Sequence, residues 1–433
     1  MKLSRLILTA LLYGSVVTGV SLPNLAVAAE EKKKPAKPKT PEQIALEAKK
    51  KKRPVEVMSE KVGKQVGEAY TLALEDKLKE AIAAFKEIEP KKEFDNAYVN
   101  RLLGILYAQD GDYKLAYKHI KIAADLDVLG WDDQASSYQI LATLSLSEEK
   151  YADTIMYYDK WYEFTLKHDE NAYAAKAYSY YQLKQYDKVI EESDKVIKYA
   201  KKPKSDPYQM KMTAYLDTKQ NDKAIEVAND ALKVFPEDKK WWLILGQLYL
   251  SQENFEKALS SYVLSEKQGF FTKENEYILL GQLYSMQGTP YKGAVILEEQ
   301  IKKGLVKKTA KNLGYIATYY RQAMNFEEAA DTYMLSGAES NDPEDYRKAG
   351  ESYNLAGDYK KAIKAYKKAL ELDSPKADLV KNALIDVSFY AEDYKSAYKY
   401  AKESLESKKY SKSAKGWIAY IKETAKRKGV DYD

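Results

Sequence analysis

The chain has 433 residues, of which 31% are charged and 12% aromatic, and it carries a net charge of +5 with no cysteine and two histidines. The absence of cysteine excludes disulfides, thiolate nucleophiles and cysteine-based metal sites. Because His119 and His168 are the only histidines and are far apart in the sequence, we interpret them as surface or half-buried helix residues, and we expect no enzymatic activity.

The first 28 residues have the composition of an export signal. Lys2 and Arg5 precede an apolar stretch over 6–20, and Ala26-Val27-Ala28 forms a small-residue cleavage site. The apolar stretch is short for a transmembrane helix. We predict that 1–28 is a cleavable signal peptide and that the product resides in the periplasm of a Gram-negative bacterium. A retained N-terminal anchor is the alternative.

A basic segment follows the predicted signal. The net charge comprises +2 in residues 1–29, +6 in residues 30–54 and −3 in the remainder. The abundance of lysine and proline predicts a disordered linker over 29–57. Residues 32–53 would make a weak contact with an anionic membrane surface or an acidic partner, or would serve only as a spacer. Because the remainder of the chain is acidic, we expect no nucleic-acid binding.

Small residues then recur at spacings of 33 to 38 from about residue 60 to residue 410. A period near 34 is typical of a helix–turn–helix solenoid. Each unit is too small to bury its own apolar face, so neighbouring units must stack. We refer to the recurring positions as anchors, and they are Ala81, Ala116, Thr154, Val189, Ala224, Ala258, Ala294, Ala329, Ala362 and Ala397.

The clearest unit places Gly246 four residues after Trp242 and twelve before the anchor Ala258. Since a helical glycine costs about 1 kcal/mol relative to alanine, its recurrence predicts a close approach of two helices. The unit around Gly288 and Ala294 is expected to carry one extra residue in its turn. The same order of residue types recurs in 104–123, 277–294 and 346–369.

This order of residues resembles that of the tetratricopeptide-repeat family. The resemblance implies an all-α, right-handed superhelical solenoid of about ten helix–turn–helix repeats over 58–410. The last segment, 411–433, is predicted to be a capping helix and tail. In it Trp417 and Ile421 would pack on the last repeat, because end repeats need a cap with a polar outer face.

In tetratricopeptide folds the first helix of each unit lines the concave face. The fifth, ninth and twelfth positions of each unit, counted with Trp242 as the fourth, are therefore candidate contacts. The resulting set is polar and aromatic with few charges, which favours a protein or an extended peptide as the ligand. We identify no catalytic set, no cofactor motif and no metal site. The candidate residues are Arg101, Gln139, Thr143, Tyr178, Tyr181, Gln209, Thr213, Gln247, Gln282, Arg321 and Arg347.

A narrower resemblance covers the stretch from Gly269 to Ala330, which contains Gly-Phe-Phe-Thr-Lys-Glu, Leu-Gly-Gln-Leu-Tyr and Gly-Thr-Pro-Tyr-Lys-Gly-Ala. With Trp241-Trp242 upstream and 417–421 near the end, it is similar to exported tetratricopeptide proteins associated with TonB systems. The resemblance implies an accessory scaffold of TonB-type energy transduction, with TonB-like or associated membrane proteins as partners. The alternatives are an envelope-assembly or chaperone-like adaptor for outer-membrane precursors or cell-wall enzymes, and a transferase or hydrolase with an unrecognised site.

Overall fold

The computed structural model describes residues 39–433, and every regular element in that range is helical. The Cα packing divides the chain into two compact units that meet between Val227 and Ala228. The predicted signal peptide over 1–28 lies outside the described residues.

Residues 41–52 form helix α1, where the composition of 29–57 predicts a disordered linker. Thr40 caps this helix by accepting from the Gln43 amide, and the Gln43 side chain accepts from the Thr40 amide. Proline occupies the first turn, and the four lysines in the last turn interact favourably with the negative end of the helix dipole. The prediction of disorder is therefore wrong for these residues, because local capping outweighs the unfavourable net charge.

The remaining helices of the first unit alternate in pairs joined by short turns. The last of them continues past Val227 into the second unit. These helices are α2 (Glu60–Leu74), α3 (Leu78–Lys86), α4 (Glu93–Asp110), α5 (Tyr113–Asp125), α6 (Trp131–Ser147), α7 (Tyr151–Thr165), α8 (Glu170–Gln182), α9 (Tyr186–Tyr199), α10 (Asp206–Asp217) and α11 (Asn221–Val234).

The second unit repeats the same alternation and ends in a longer helix. A 3₁₀ turn over Ser404–Glu406 precedes that last helix. The helices are α12 (Lys239–Ser251), α13 (Phe255–Lys267), α14 (Glu274–Met286), α15 (Pro290–Lys302), α16 (Ala310–Gln322), α17 (Phe326–Ser340), α18 (Pro343–Ala356), α19 (Tyr359–Glu371), α20 (Ala377–Tyr390), α21 (Tyr394–Glu403) and α22 (Ser411–Lys428).

Helices α2 to α21 form ten helical hairpins, which confirms the predicted all-α repeat fold. Every one of the ten anchors lies on the second helix of its hairpin, and each is 0% exposed. The buried core follows the hairpins. One cluster of the first unit extends from Val62 to Ala175, and clusters of the second unit extend from Ala258 to Ala329 and from Ala317 to Ala425.

The turn inside each hairpin contains one residue with positive φ, seven positions after the residue equivalent to Gly246. Glycine adopts this left-handed conformation at no steric cost, whereas other L-residues pay for it. Three of the ten turns have glycine there, namely Gly111, Gly288 and Gly357. The other seven have Asp76, Glu149, Lys184, Lys219, Glu253, Met324 and Glu392.

The turn at Gly288 has the ordinary length, so the predicted extra residue is wrong. The Thr289 amide donates to the carbonyl of Tyr284 at 2.9 Å, which is the bond that closes the other hairpin turns. Gly293, and not Ala294, stands twelve residues after Gly281. A Cβ on Gly293 would lie 2.6 Å from the carbonyl oxygen of Gly281. Gly293 therefore takes the place of the anchor alanine and allows the close approach of α15 to α14.

Helix α22 covers the last hairpin as predicted. Ile421 and Ala425 are fully buried, and the ring of Trp417 lies 5.3 Å from that of Phe389 on α20. The lysines and Arg427 of this helix are exposed. This is the polar-faced cap that an end repeat requires.

Candidate binding surface on the first helices

All eleven candidate residues lie on first helices of hairpins, which we call the first-helix surface. Their exposure differs widely, and their role in partner binding stays a prediction. The helices that carry them are α4 (Arg101), α6 (Gln139, Thr143), α8 (Tyr178, Tyr181), α10 (Gln209, Thr213), α12 (Gln247), α14 (Gln282), α16 (Arg321) and α18 (Arg347).

Arg101 is packed between helices and does not present its guanidinium to a ligand. It is 5% exposed, and its Nη2 donates to Ser136 Oγ at 2.8 Å and lies 3.1 Å from Asp133. Both partners are on α6. Burial of a charge is tolerated only when it is paired, so the expected ligand contact is replaced by a link between α4 and α6.

Arg347 is likewise internal, and it joins Arg321 in one charged cluster. It is 7% exposed, and it donates to Glu344 and to Glu351. These contacts lower the pKa of Glu344 to about 2, with hydrogen bonds from Arg347 and Lys376 as the main cause. Arg321 Nη2 lies 3.6 Å from Glu351, and 43% of its side chain is exposed. Of the two arginines on α16 and α18, only Arg321 is placed to meet a partner.

The two candidate tyrosines on α8 form an aromatic edge. Tyr178 is 41% exposed, and its ring packs edge-on against Tyr151 at 6.0 Å. Tyr181 is half-buried and packs edge-on against Tyr186 at 6.1 Å. A hydrogen bond to Asp217 raises the pKa of Tyr181. Rigid tyrosines of this kind supply contact area at a low cost in conformational entropy.

The threonine and glutamine candidates differ in whether their polar groups already form hydrogen bonds within the protein. Thr143 and Thr213 donate to the carbonyls of Gln139 and Gln209, at 3.0 and 2.8 Å, so their hydroxyl protons are already used. Gln247 is exposed on α12. A free amide of this kind can donate to or accept from the backbone of an extended ligand.

The prediction missed two acidic side chains at the same surface. Glu351 on α18 links the two arginines, and Asp386 on α20 is half-buried, with burial raising its pKa. Asn354 Nδ2 lies 3.4 Å from the Asp386 carboxylate. Both acids occupy the ninth position of their repeat unit, the position of Gln247 in its own unit. The spacing rule would have found them if it had been applied to this position in the last two hairpins.

The two histidines have different settings. His119 is on α5, half-buried, with its Nδ1 2.8 Å from Asn100 Oδ1 and its ring stacked on Tyr107. His168 is exposed in the link between α7 and α8, so it lies at the surface as expected, although it is outside a helix. Burial lowers the pKa of both imidazoles, with lysine charges adding to the effect.

Residues 39–433 contain no group of three or more histidine or acidic side chains arranged to hold a metal ion. None of their helices combines the length and the apolar character needed to cross a membrane.

Residues 210–268 match the family model described as the tetratricopeptide repeat. The matched stretch runs from α10 to the link after α13 and includes the unit of Trp242, Gly246 and Ala258. That stretch is similar to the tetratricopeptide repeat. The same anchor and turn positions recur in the other hairpins, and this recurrence supports the tetratricopeptide part of the resemblance. No curated protein matches the sequence.

Solved structures similar to this chain include several tetratricopeptide proteins. The C-terminal part of a TPR repeat-containing protein from Cytophaga hutchinsonii is 20% identical, with 55% of this chain and 96% of that one covered and a TM-score of 0.34. A tetratricopeptide repeat protein from Parabacteroides merdae is 13% identical, with coverages of 60% and 99% and a TM-score of 0.34. YrrB, a TPR protein with an unusual peptide-binding site, is 14% identical, with coverages of 47% and 99% and a TM-score of 0.33.

Proposed function

We propose that the chain is a non-enzymatic scaffold in which the first-helix surface of each unit binds an extended segment of a partner protein. One observation carries the proposal: the hairpins bury their second-helix anchors completely while Tyr178, Gln247 and Arg321 on first helices remain exposed. Stacked repeats use such extended surfaces for binding. Exposed tyrosine, amide and guanidinium groups suit a peptide, because they combine contact area with hydrogen bonding.

We further propose that the partner belongs to a TonB-type energy-transduction system in the periplasm. The export-like composition of 1–28 supports the compartment, and the resemblance over 269–330 supports the system. The basic segment over 32–53 would give a weak contact with a membrane surface. At the C-terminal end of α1 two cations of this segment are already engaged, since Lys50 pairs with Asp132 and Arg53 with Asp127.

Photocrosslinking in cells that naturally produce the protein tests which face binds. A photoreactive residue replaces Gln247 on the first helix α12, and in a matched control it replaces Ser260, which is exposed on the second helix α13. The proposal predicts an adduct with one defined protein from position 247 and none from position 260. Equal adducts from positions 247 and 260 would contradict the proposal. So would the absence of an adduct both from position 247 and from a second photoreactive residue placed at Tyr178.

A further inference from the structure

A cavity of about 290 Å³ lies in the first unit, between α7, the link that follows it, α8 and α9. Its volume is near the lower end of the range of roughly 300–1,000 Å³ that small-ligand pockets span. None of the eleven candidate residues of the first-helix surface lines it. It is therefore a separate site, and what binds there goes beyond the proposed function.

Aromatic rings come from six of the thirteen residues that line the cavity. Trp161 and Tyr173 are 7% and 8% exposed and close its inner side. The ring of His168 stacks on Tyr199 with centroids 3.8 Å apart and an interplanar angle of 6°. The Nδ1 of His168 lies 2.5 Å from the Tyr173 hydroxyl. The rings hold one another in place, so the wall is formed before any ligand arrives.

Two of the four lysines that line the cavity are neutralised by carboxylates. Lys176 Nζ lies 2.6 Å from Asp159 and 3.1 Å from Glu192. Lys195 Nζ lies 2.9 Å from Glu191 and 3.0 Å from Glu192. Asp159 lines the cavity beside the lysine that it pairs with, whereas Glu191 and Glu192 lie outside the lining.

The other two lysines keep their charge available. Lys167 and Lys198 form no ion pair with any residue in the range 39–433, and Lys198 Nζ lies 5.0 Å from the centre of the Tyr199 ring. Asp169, the second aspartate of the lining, caps α8 by accepting from two backbone amides. Burial and the charges of Lys198 and Lys195 lower the pKa of His168. The cavity thus offers two free ammonium groups beside aromatic faces.

We propose that this cavity binds an aromatic carboxylic acid, either as a free small molecule or as the C-terminal residue of a peptide. The rings provide a stacking surface for an aromatic body, and Lys167 and Lys198 would hold the carboxylate by charge-assisted hydrogen bonds. Aromatic walls alone would also suit a cation. The two unpaired ammonium groups, Lys167 and Lys198, disfavour that ligand, because like charges repel.

The test follows the His168 ring signals by NMR in the purified protein. With only two histidines in the chain, a His119→Gln variant assigns the spectrum. The probes are N-acetylphenylalanine, its uncharged amide, a short peptide ending in phenylalanine, and phenyltrimethylammonium. The two acids should shift the His168 signals and saturate at roughly millimolar concentration, as expected for a small ligand. The amide and the ammonium probe should not.

Two lysine variants and a control locate the site. Lys167→Ala and Lys198→Ala should each weaken binding of the acids by about fivefold, the effect of one partly screened charge. Lys202→Ala, a nearby exposed lysine outside the lining, should leave binding unchanged. An unchanged His119 signal reports that the fold is intact.

Comparing the affinities for the free acid and for the peptide also distinguishes the two kinds of ligand. Equal affinity for the free acid and the peptide supports a small-molecule ligand, and peptide binding at least tenfold tighter supports a polypeptide C-terminus. No shift with either acid, an equal shift with the ammonium probe, or unchanged binding by both lysine variants would overturn the proposal. These variants leave the first-helix surface intact, so partner crosslinking at position 247 is unaffected by either result.

Discussion

A Cβ atom on Gly246 would lie 2.6 Å from Cε2 of Tyr262, so the glycine leaves the space that the tyrosine ring fills. The two residues are 16 positions apart on the two helices of one hairpin. The same relationship joins Gly104 to Ile120, where the corresponding distance is 2.7 Å to Cγ1. In the last hairpin the sizes are reversed, with Ile385 on the first helix and Ala401 on the second, both fully buried. One shared volume is thus divided differently between the helices of different repeats.

Gly246→Ala should therefore lower the free energy of unfolding by about 1–3 kcal/mol, the usual cost of overpacking a well-filled site. Urea unfolding measures the change. Gly314→Ala is the matched control, since a Cβ there meets nothing within 4 Å. It should raise stability by about 0.5–1 kcal/mol, because alanine is favoured over glycine in a helix. If Gly246→Ala is equally costly in a Tyr262→Ala background, the steric explanation fails.

Replacing Met324 by glycine should stabilise the protein. Met324 is 77% exposed and has φ of 61° in the turn between α16 and α17. The left-handed conformation costs an L-residue roughly 1–2 kcal/mol, and glycine avoids this cost. Part of the resulting stabilisation is lost because glycine makes the unfolded chain more flexible. We expect a net increase of about 0.5–1 kcal/mol in urea unfolding. Gly357→Ala, at φ of 80°, should have the opposite sign; a stabilising effect there would refute the argument.

Most of the fold could be predicted from the sequence because its determinants are local and repeated. The ten anchors, the glycines of close approach and the capping helix all follow from residue size at fixed spacing. Two expectations failed where the evidence was not periodic. Helix α1 depends on a capping box at Thr40 and Gln43 within a lysine-rich segment. The turn at Gly288 looks one residue longer in the sequence because the position twelve residues after Gly281 is taken by Gly293 and the alanine stands one residue later.

The candidate surface was less predictable, because spacing gives the face of a residue but not its partners. Arg101 and Arg347 lie on the expected helices, yet carboxylates from neighbouring turns and helices bury them. The cavity around His168 escaped prediction for a related reason. It combines residues from three helices and a link that share no repeat position.

Stability should fall between pH 5 and pH 2 partly because of Glu344. Its pKa in the folded protein is about 2, below the ordinary 4.5, mainly through the hydrogen bond from Arg347. A depressed carboxylate pKa stabilises the fold above the unfolded-state pKa, and that contribution is lost as the pH falls through the folded-state value. Glu344→Gln should be less stable than wild type at pH 7 by on the order of 1 kcal/mol, since the group is partly exposed.

Urea unfolding at pH 7, 4 and 2.5 measures this difference. The curves of unfolding free energy for wild type and Glu344→Gln should converge as the pH decreases. Parallel curves would show that the contacts of Glu344 with Arg347 and Lys376 carry no net stabilisation.

Arg53→Ala should release α1 from the first unit. Arg53 Nε donates to the carbonyl of Leu129 at 2.7 Å, its Nη2 donates to the carbonyl of Asp127 at 2.9 Å, and its guanidinium lies 5.4 Å from the Phe164 ring centre. Hydrogen exchange of the amides over 41–52 should therefore accelerate in the variant. Lys50→Ala is the control, because its pair with Asp132 is exposed and contributes little. Equal acceleration in both variants would assign the attachment to charge alone.

The most direct test of the proposed function is crosslinked affinity capture of the tagged protein from iron-starved cells that naturally produce it, identified by mass spectrometry. Wild type is compared with a Tyr178→Ala, Tyr181→Ala, Arg321→Ala triple variant, and with Tyr291→Ala as a control for an exposed second-helix tyrosine. We predict that TonB-like or receptor proteins are captured by wild type and by the control, and are lost from the triple variant while its fold is retained. Capture of outer-membrane precursors or cell-wall enzymes with no TonB component would contradict the TonB assignment and favour an assembly adaptor, and undiminished capture by the triple variant would contradict the first-helix surface.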